Sequence, residues 1–290
     1  MIACPPVIRP CVLIRVYDRL ADLEVALELV RSRWTRFPYH VVVAASGAAD
    51  GHRPSPRARA LADEVVELDA NPGKMAGTGR LLRAGLARVP ADCDWTVLLE
   101  ADTWVLGDAV IERTIARLTR ARAGWCSAEW VERRWTLGLD LVVARRDLLA
   151  SDPALFDGGD ALEARVCHRL AERGERFLYL REAMPVHAPR LLRCLAGAPG
   201  GRFRCFPAVP MVTHHVEDLP GGIEEKKVLA NACAGERVFP VGDAATLVRL
   251  RRRMLFERRL ARLAPRSGWL GKRPWHPRPP ANDRAAPGPG

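Results

Sequence analysis

The chain has 290 residues, 48% of them hydrophobic, enough for one large α/β domain or two small ones with a substantial core. Its formal charge of +11 is uneven, with net +9 in residues 243–290 and net +2 in residues 1–242; this excludes a nucleic-acid groove across the whole body and leaves a basic tail able to meet an anionic surface. The eight cysteines, Cys4, Cys11, Cys93, Cys126, Cys167, Cys194, Cys205 and Cys233, form no C-x-x-C pair, and no zinc knuckle or redox motif is expected.

The elements alternate from the start. Pro5, Pro6, Arg9 and Pro10 break any apolar leader, so a reduced, cytoplasmic protein is expected. No apolar run reaches the length of a membrane span. Val12 to Val16 reads as a first strand. Leu20, Leu23, Leu27, Val30 and Trp34 then recur at helical spacing, with Asp18 or Asp22 as a cap. Tyr39 to Ala45 is continuously apolar, as a parallel strand buried on both faces is. Ser46 to Pro56 is a loop, Ala58 to Asp63 a short helix and Val65 to Leu68 a third strand. Asn71-Pro-Gly-Lys74 is a turn, and Leu81, Leu82, Gly85 and Leu86 carry the next helix.

Thr96 to Leu99 reads as a buried strand that runs into Glu100-Ala-Asp102. Val110, Ile111, Ile115 and Leu118 mark a further helix. Trp125 to Trp130 and Leu137 to Ala144 read as strands, and a helix starts at Arg146. Leu162, Val166 and Leu170 give a helix ending at Gly174, followed by a strand over Phe177 to Leu180. This alternation predicts a mostly parallel sheet with helices on both faces. Residues 188–243 read as irregular. Residues 244–263 read as a basic helix with Leu247, Leu250, Met254 and Ala261 on one side, and Pro274 to Gly290 as disordered.

Several residues carry chemistry. Strand alternation would put the Glu100 and Asp102 carboxylates on one side of the pleat, at the strand end where open α/β sheets bind ligands. Two hard oxygen donors there suit Mg²⁺ or Mn²⁺ on a diphosphate; an ordinary strand end with two solvated acids is the plain alternative. His187 is a candidate third ligand or diphosphate contact, and more commonly such a residue is structural. His214-His215-Val-Glu217 is a second candidate metal cluster, of which one histidine at most faces a given site. Gly77 and Gly79 after Asn71-Pro-Gly-Lys74 could cradle phosphate at a helix N-terminus, with Lys74 or Arg80 as the charge; a plain turn and helix start is the alternative. Trp104, Trp125, Trp130 and Trp135 could stack on sugars or fill the core. The 244–263 helix could lie on anionic lipid or pack on the domain.

The order of these pieces resembles a GT-A-fold glycosyltransferase, nearest to glycosyltransferase family 2, over Val12 to His187. Val12-Leu-Ile-Arg-Val-Tyr-Asp-Arg19 looks like the family's first strand and following turn, which implies donor contacts from Tyr17, Asp18 and Arg19. Ala45-Ser-Gly-Ala-Ala-Asp-Gly51 stands in the place of the nucleotide-binding loop, with Ser46 near the family's aspartate. Glu100-Ala-Asp102 stands where the family has Asp-x-Asp, and Thr136 to Arg145 resembles the acceptor-side strand. Asp160 to Gly174 is similar to the helix that carries the catalytic base, here Asp160 or, aligned on Arg169, Glu163. Val186-His187 resembles the family's terminal Val-x-His.

The resemblance implies an α/β, GT-A-like domain over 1–190; composition and spacing add an irregular extension over 191–243, the basic amphipathic helix over 244–263 and a disordered Pro-rich tail over 264–290. It implies inverting transfer of a sugar from a nucleotide-sugar donor, with Mn²⁺ or Mg²⁺, to an acceptor hydroxyl, of a saccharide or, as the basic helix would suit, of a lipid-linked acceptor. Peripheral contact at the inner face of an anionic membrane is expected, and no nucleic acid. A sugar nucleotidyltransferase is the alternative enzyme, though Val16 to Leu20 lacks its Gly-rich loop. A non-catalytic binding protein with a degenerate transferase fold is the other alternative.

Overall fold

The computed structural model describes residues 8–47, 49, 51–128, 130–131, 135–157, 159–180, 204–213 and 219–263. In chain order the elements are β1 (Pro10–Val16), α1 (Leu20–Arg33), β2 (His40–Ala45), α2 (Pro56–Leu61), β3 (Glu64–Glu67), α3 (Lys74–Leu86), β4 (Trp95–Glu100), β5 (Trp104–Val105) and α4 (Ala109–Ala121). Then come β6 (Trp125–Ser127), β7 (Trp130–Val131), β8 (Thr136–Leu137), β9 (Leu141–Arg145), α5 (Arg146–Ala150), α6 (Leu162–Glu172) and β10 (Phe177–Tyr179). The chain closes with β11 (Arg204–Phe206), β12 (Met211–Thr213), α7 (Gly222–Ala234) and α8 (Ala244–Leu263).

Seven strands make one sheet in the order β10-β6-β9-β4-β1-β2-β3. β3, β2, β1 and β4 run parallel. Only β9 opposes its neighbours, β4 and β6, and β10 is again parallel to β6. The sheet is thus mostly parallel, as the alternation predicted. Every residue of β1 is buried, because a central parallel strand is covered on both faces. Val12, Ile14 and Val16 meet α1 and α4 on one face. Cys11 and Leu13 meet α3 and α6 on the other. Among the described residues no helix is long and apolar enough to cross a membrane.

Three expectations are corrected. The apolar run over Leu137 to Ala144 is two strands, β8 and β9. The chain bends between them because the carbonyls of Leu139 and Asp140 accept bonds from the Arg15 side chain (2.7 Å) and the Glu100 N–H (3.0 Å). The Trp125 to Trp130 run likewise divides, β6 joining the main sheet and β7 pairing with β8. The stretch over 188–243, expected to be irregular, holds two short strands and a helix, with turns and bends between and after them. β11 and β12 form a small sheet with β5, and α7 buries Lys226, Leu229, Ala230, Asn231, Ala232 and Cys233.

The last helix, α8, has the span its spacing predicts. Its apolar stripe turns inward: Met254 is buried, and Leu247 and Leu250 pack against the same core. Arg251 donates to the carbonyls of Ala232 (3.2 Å) and Cys233 (2.7 Å), a basic cap on the last turn of α7. The packed alternative therefore describes this stripe. The proposed tail over 264–290 lies outside the described residues.

The α3 helix lies close on its neighbours because of its glycines. A Cβ on Gly77 would collide with the Asn71 side chain, one on Gly79 with the Phe156 carbonyl oxygen, and one on Gly85 with the Leu13 side chain. Gly77 and Gly79 thus let α3 pack closely against Asn71 and Phe156. Backbone cannot yield as a flexible side chain can, so Gly79→Ala should lower stability by about 1–3 kcal/mol, the usual cost of overpacking. Urea denaturation measures this, and an unchanged midpoint would show that the Phe156 turn moves aside freely.

Candidate active site at the carboxyl edge

The parallel strands leave their C-terminal ends along one edge. From β1 the chain goes outward to β2 and β3, and β4 lies on the other side of β1. The crevice between β1 and β4 is therefore the point where strand order reverses, the place where open α/β sheets bind ligands.

On the β1 side, Tyr17, Asp18 and Arg19 make the turn into α1. Tyr17 is 38% exposed. Its ring lies beside Gly73 and 5.2 Å from the ring of His52. Ser46 is buried after β2 and accepts from Asn71 Nδ2 (3.1 Å). Asn71 Oδ1 in turn accepts the Gly73 N–H (2.9 Å). This links the Ser46 loop to the start of α3, whose first residue, Lys74, is exposed with φ of 50°. The structure thus gathers Tyr17, Ser46 and Lys74 at one end of the sheet. Asp18 is exposed, 3.5 Å from the Arg19 Nε. Asp18 does not cap α1; the cap position is Arg19, without a side-chain bond. Arg80 is exposed in the second turn of α3.

On the β4 side the strand stops at Glu100. The Ala101 N–H donates to the Arg15 carbonyl (3.0 Å), and the Thr103 N–H to the Glu100 carbonyl (2.9 Å). Residues 100–103 are therefore a turn, and the pleat that was to align the two acids does not continue. Their environments differ accordingly. Glu100 pairs with the buried Arg15 at 2.9 Å and keeps 34% of its side chain exposed. Asp102 is 2% exposed, and its Oδ1 is buried with no hydrogen-bond partner among the described residues.

The spacing gave no sign of what lies beneath this turn. Lys226 of α7 is fully buried. Its Nζ donates to Asp22 Oδ1 (2.5 Å) and to the Asp102 carbonyl (2.7 Å), and sits 4.2 Å from the centroid of the Trp104 ring. Burial pushes the Asp22 carboxyl above its ordinary range and pulls the Lys226 ammonium below its own, while their attraction opposes both. Asp22, read as a helix cap, is one half of this pair. Arg15, read as part of an apolar strand, holds Glu100.

The candidate bases sit beyond α3. Asp160 lies in an exposed 3₁₀ turn, Gly159–Ala161, that packs against α3. Ala161, not Asp160, is the cap position of α6. Glu163 is half-buried in the first turn of α6. Two ion pairs fix this region. Asp157 pairs with Arg83 of α3. Asp152 takes two bonds from Arg169 (3.0 and 2.7 Å), which hold its carboxyl below the usual range.

Trp104, Trp125 and Trp135 are buried and belong to the core; Trp125 donates to Ser127 Oγ (2.7 Å). Trp130 is placed in β7. His187, His214, His215 and Glu217 lie outside the described residues. Among the described residues no group of three or more His, Cys, Asp or Glu gathers as a metal shell. The Asp102 Oδ1 has no hydrogen bond among the described residues, and a buried carboxylate oxygen requires a partner, a need that a divalent cation would meet.

Comparison with protein-family models gives no match, and comparison with curated proteins gives none. Solved structures do match. A mannosyltransferase from Pyrobaculum calidifontis, in complex with GDP-Man and Mn²⁺, is 19% identical with a TM-score of 0.47. The match covers 61% of this chain and 55% of that one, so the chain spans little more than half of that enzyme's length. Glucosyl-3-phosphoglycerate synthase from Mycobacterium tuberculosis, in complex with Mn²⁺, UDP and glucosyl-3-phosphoglycerate, is 17% identical over 59% of this chain and 68% of that one, with a TM-score of 0.44. TarS from S. aureus is 12% identical over 85% of this chain and 43% of that one, also at 0.44.

Proposed function

We propose that this protein is a glycosyltransferase that moves a sugar from a nucleotide-sugar donor to an acceptor hydroxyl, with inversion at the anomeric carbon. One observation supports this reading above the rest. The turn after β1, with Tyr17 to Arg19, and the turn after β4, with Glu100 and Asp102, flank the point where strand order reverses. The nucleotide would lie against Tyr17, Ser46 and the start of α3, with Asp18 and Arg19 beside it and Lys74, assisted by Arg80, supplying positive charge. Asp102 would hold Mn²⁺ or Mg²⁺, with Glu100 and His187 as further donors. The cation, when bound, offsets the charge of the departing diphosphate.

The protein's own residues then do the remaining work. Asp160, or Glu163 in its place, takes the acceptor proton as the hydroxyl oxygen bonds to the anomeric carbon. The carbon–oxygen bond to the diphosphate breaks on the opposite face. This assignment follows the family resemblance of the Asp160 to Gly174 segment.

Asp102→Asn should abolish Mn²⁺-dependent binding of UDP and GDP in calorimetry while leaving the thermal transition in place. Undiminished binding would remove Asp102 from the site. Asp160→Asn should lower turnover by about 10²–10⁴, the scale of general-base loss, with donor affinity little changed. Full activity in Asp160→Asn, with loss in Glu163→Gln, would move the role to Glu163.

We further propose a cytoplasmic protein that touches the inner face of an anionic membrane, as a lipid-linked acceptor would require. The buried stripe of α8 does not serve this purpose. Its outer face does: Val248 is 50% and Phe256 58% exposed, among exposed Arg249, Arg252 and Arg259. Each arginine near such a surface contributes about 1 kcal/mol. Reversing Arg249, Arg252 and Arg259 to Glu should therefore release the protein from vesicles containing phosphatidylglycerol without changing nucleotide binding. Equal co-sedimentation of parent and variant would count against the contact.

A further inference from the structure

A fully buried lysine is uncommon unless it is paired and bonded, and Lys226 is bonded to two elements that are far from it in sequence. It comes from α7, 204 positions from Asp22 in α1 and 124 from Asp102 after β4. Its bond to Asp102 goes to the carbonyl, not to the carboxylate. The Nζ therefore fixes the peptide of the Glu100–Thr103 turn and attracts the Asp102 carboxylate without a hydrogen bond to it. On the opposite face Arg15 fixes Glu100 through its carboxylate (2.9 Å). The motif is thus braced from both faces of the sheet, and Asp102 Oδ1 remains buried with no hydrogen bond among the described residues.

We propose that Lys226, held by Asp22, is a positioning residue that sets the Asp102 carboxylate for a divalent cation. The proposal rests on the reading of Asp102 as a metal ligand. A plain structural pair would stabilise α7 against α1 and no more. A positioning residue also sets metal affinity, and loss of partners that orient a ligand usually costs 10–100-fold in that affinity.

The two roles separate in a double variant, Asp22→Leu with Lys226→Met. Removing both charges together leaves neither one buried and unpaired, and such replacements are often neutral for stability. Mn²⁺ affinity is followed by electron paramagnetic resonance in the presence of UDP and, separately, GDP, beside the thermal transition. The expected result is a transition near that of the parent and Mn²⁺ affinity at least tenfold weaker. A double variant that melts and binds Mn²⁺ as the parent does overturns the proposal. Asp102→Asn runs in parallel. If it binds Mn²⁺ like the parent, or the parent binds none, the metal-ligand reading falls and takes this proposal with it.

Should the double variant not fold, Asp22→Asn with Lys226→Gln decides, since it removes both charges and keeps a polar group at each place. Positioning then predicts Mn²⁺ affinity at least tenfold weaker than that of the parent, because the Nζ bond to the Asp102 carbonyl is lost. Affinity equal to that of the parent overturns it.

Discussion

Charge taken out of water at the carboxyl edge of the sheet must find partners there, and the layout of that edge follows from how this chain meets the requirement. Two buried cations do so from opposite faces. Arg15 rises from the central strand, on the α3 and α6 side, and takes the Glu100 carboxylate and the Leu139 carbonyl. Lys226 comes from the α1 side and takes Asp22 and the Asp102 carbonyl. Desolvating such ions costs several kcal/mol each unless the geometry restores what water supplied. Once these bonds exist, β1, β4, the bend before β9, α1 and α7 are tied to one another. The two acids also become unequal: one is already neutralised, and the other is left with an oxygen to satisfy.

The C-terminal part of the chain follows from the same constraint. Lys226 can reach beneath the β4 turn only if α7 is seated on the sheet, and three features seat it. Cys205, Phe206 and Met211 join the core of α1 and α4. Asn231 donates to the Phe239 and Val241 carbonyls and accepts from the Val238 and Phe239 amides, so one side chain shapes the connection to α8. Arg251 closes the end of α7. Described residues from Cys205 to Met254 are thus part of the same packing unit as the strands that carry the candidate site.

The sequence made the parallel half of the molecule legible. Strands such as Val12 to Val16 and Tyr39 to Ala45 are strongly apolar runs, broken only by Arg15 and His40, and their helices repeat at a clear spacing. The acid pair after β4 was visible for the same reason. What stayed hidden depends on contacts between distant residues. No local pattern links Lys226 to Asp22, and an aspartate in the first turn of a helix looks like a cap until its partner is known. Arg15 sits inside a strand whose burial conceals its charge. Gly77 and Gly79 carry one signal with two meanings, close approach of a phosphate or of a neighbouring backbone, and here Asn71 and Phe156 take the space. Residues 204–234 read as irregular because their strands are only three residues long and lie between glycines and prolines.

The buried thiols have a consequence of their own. Cys126, Cys205 and Cys233 lie in the core on one face of the sheet, and Cys11, Cys93 and Cys167 in the core on the other. All six are free. Burial pushes Cys126 and Cys167 up to about 12, and Cys11 higher still. The thiolate is the reactive form, so an alkylating reagent meets almost none of it until the chain opens locally. The two faces therefore carry separate clocks. The order in which their cysteines become reactive records which layer of helices lifts from the sheet first, with no probe added to the protein.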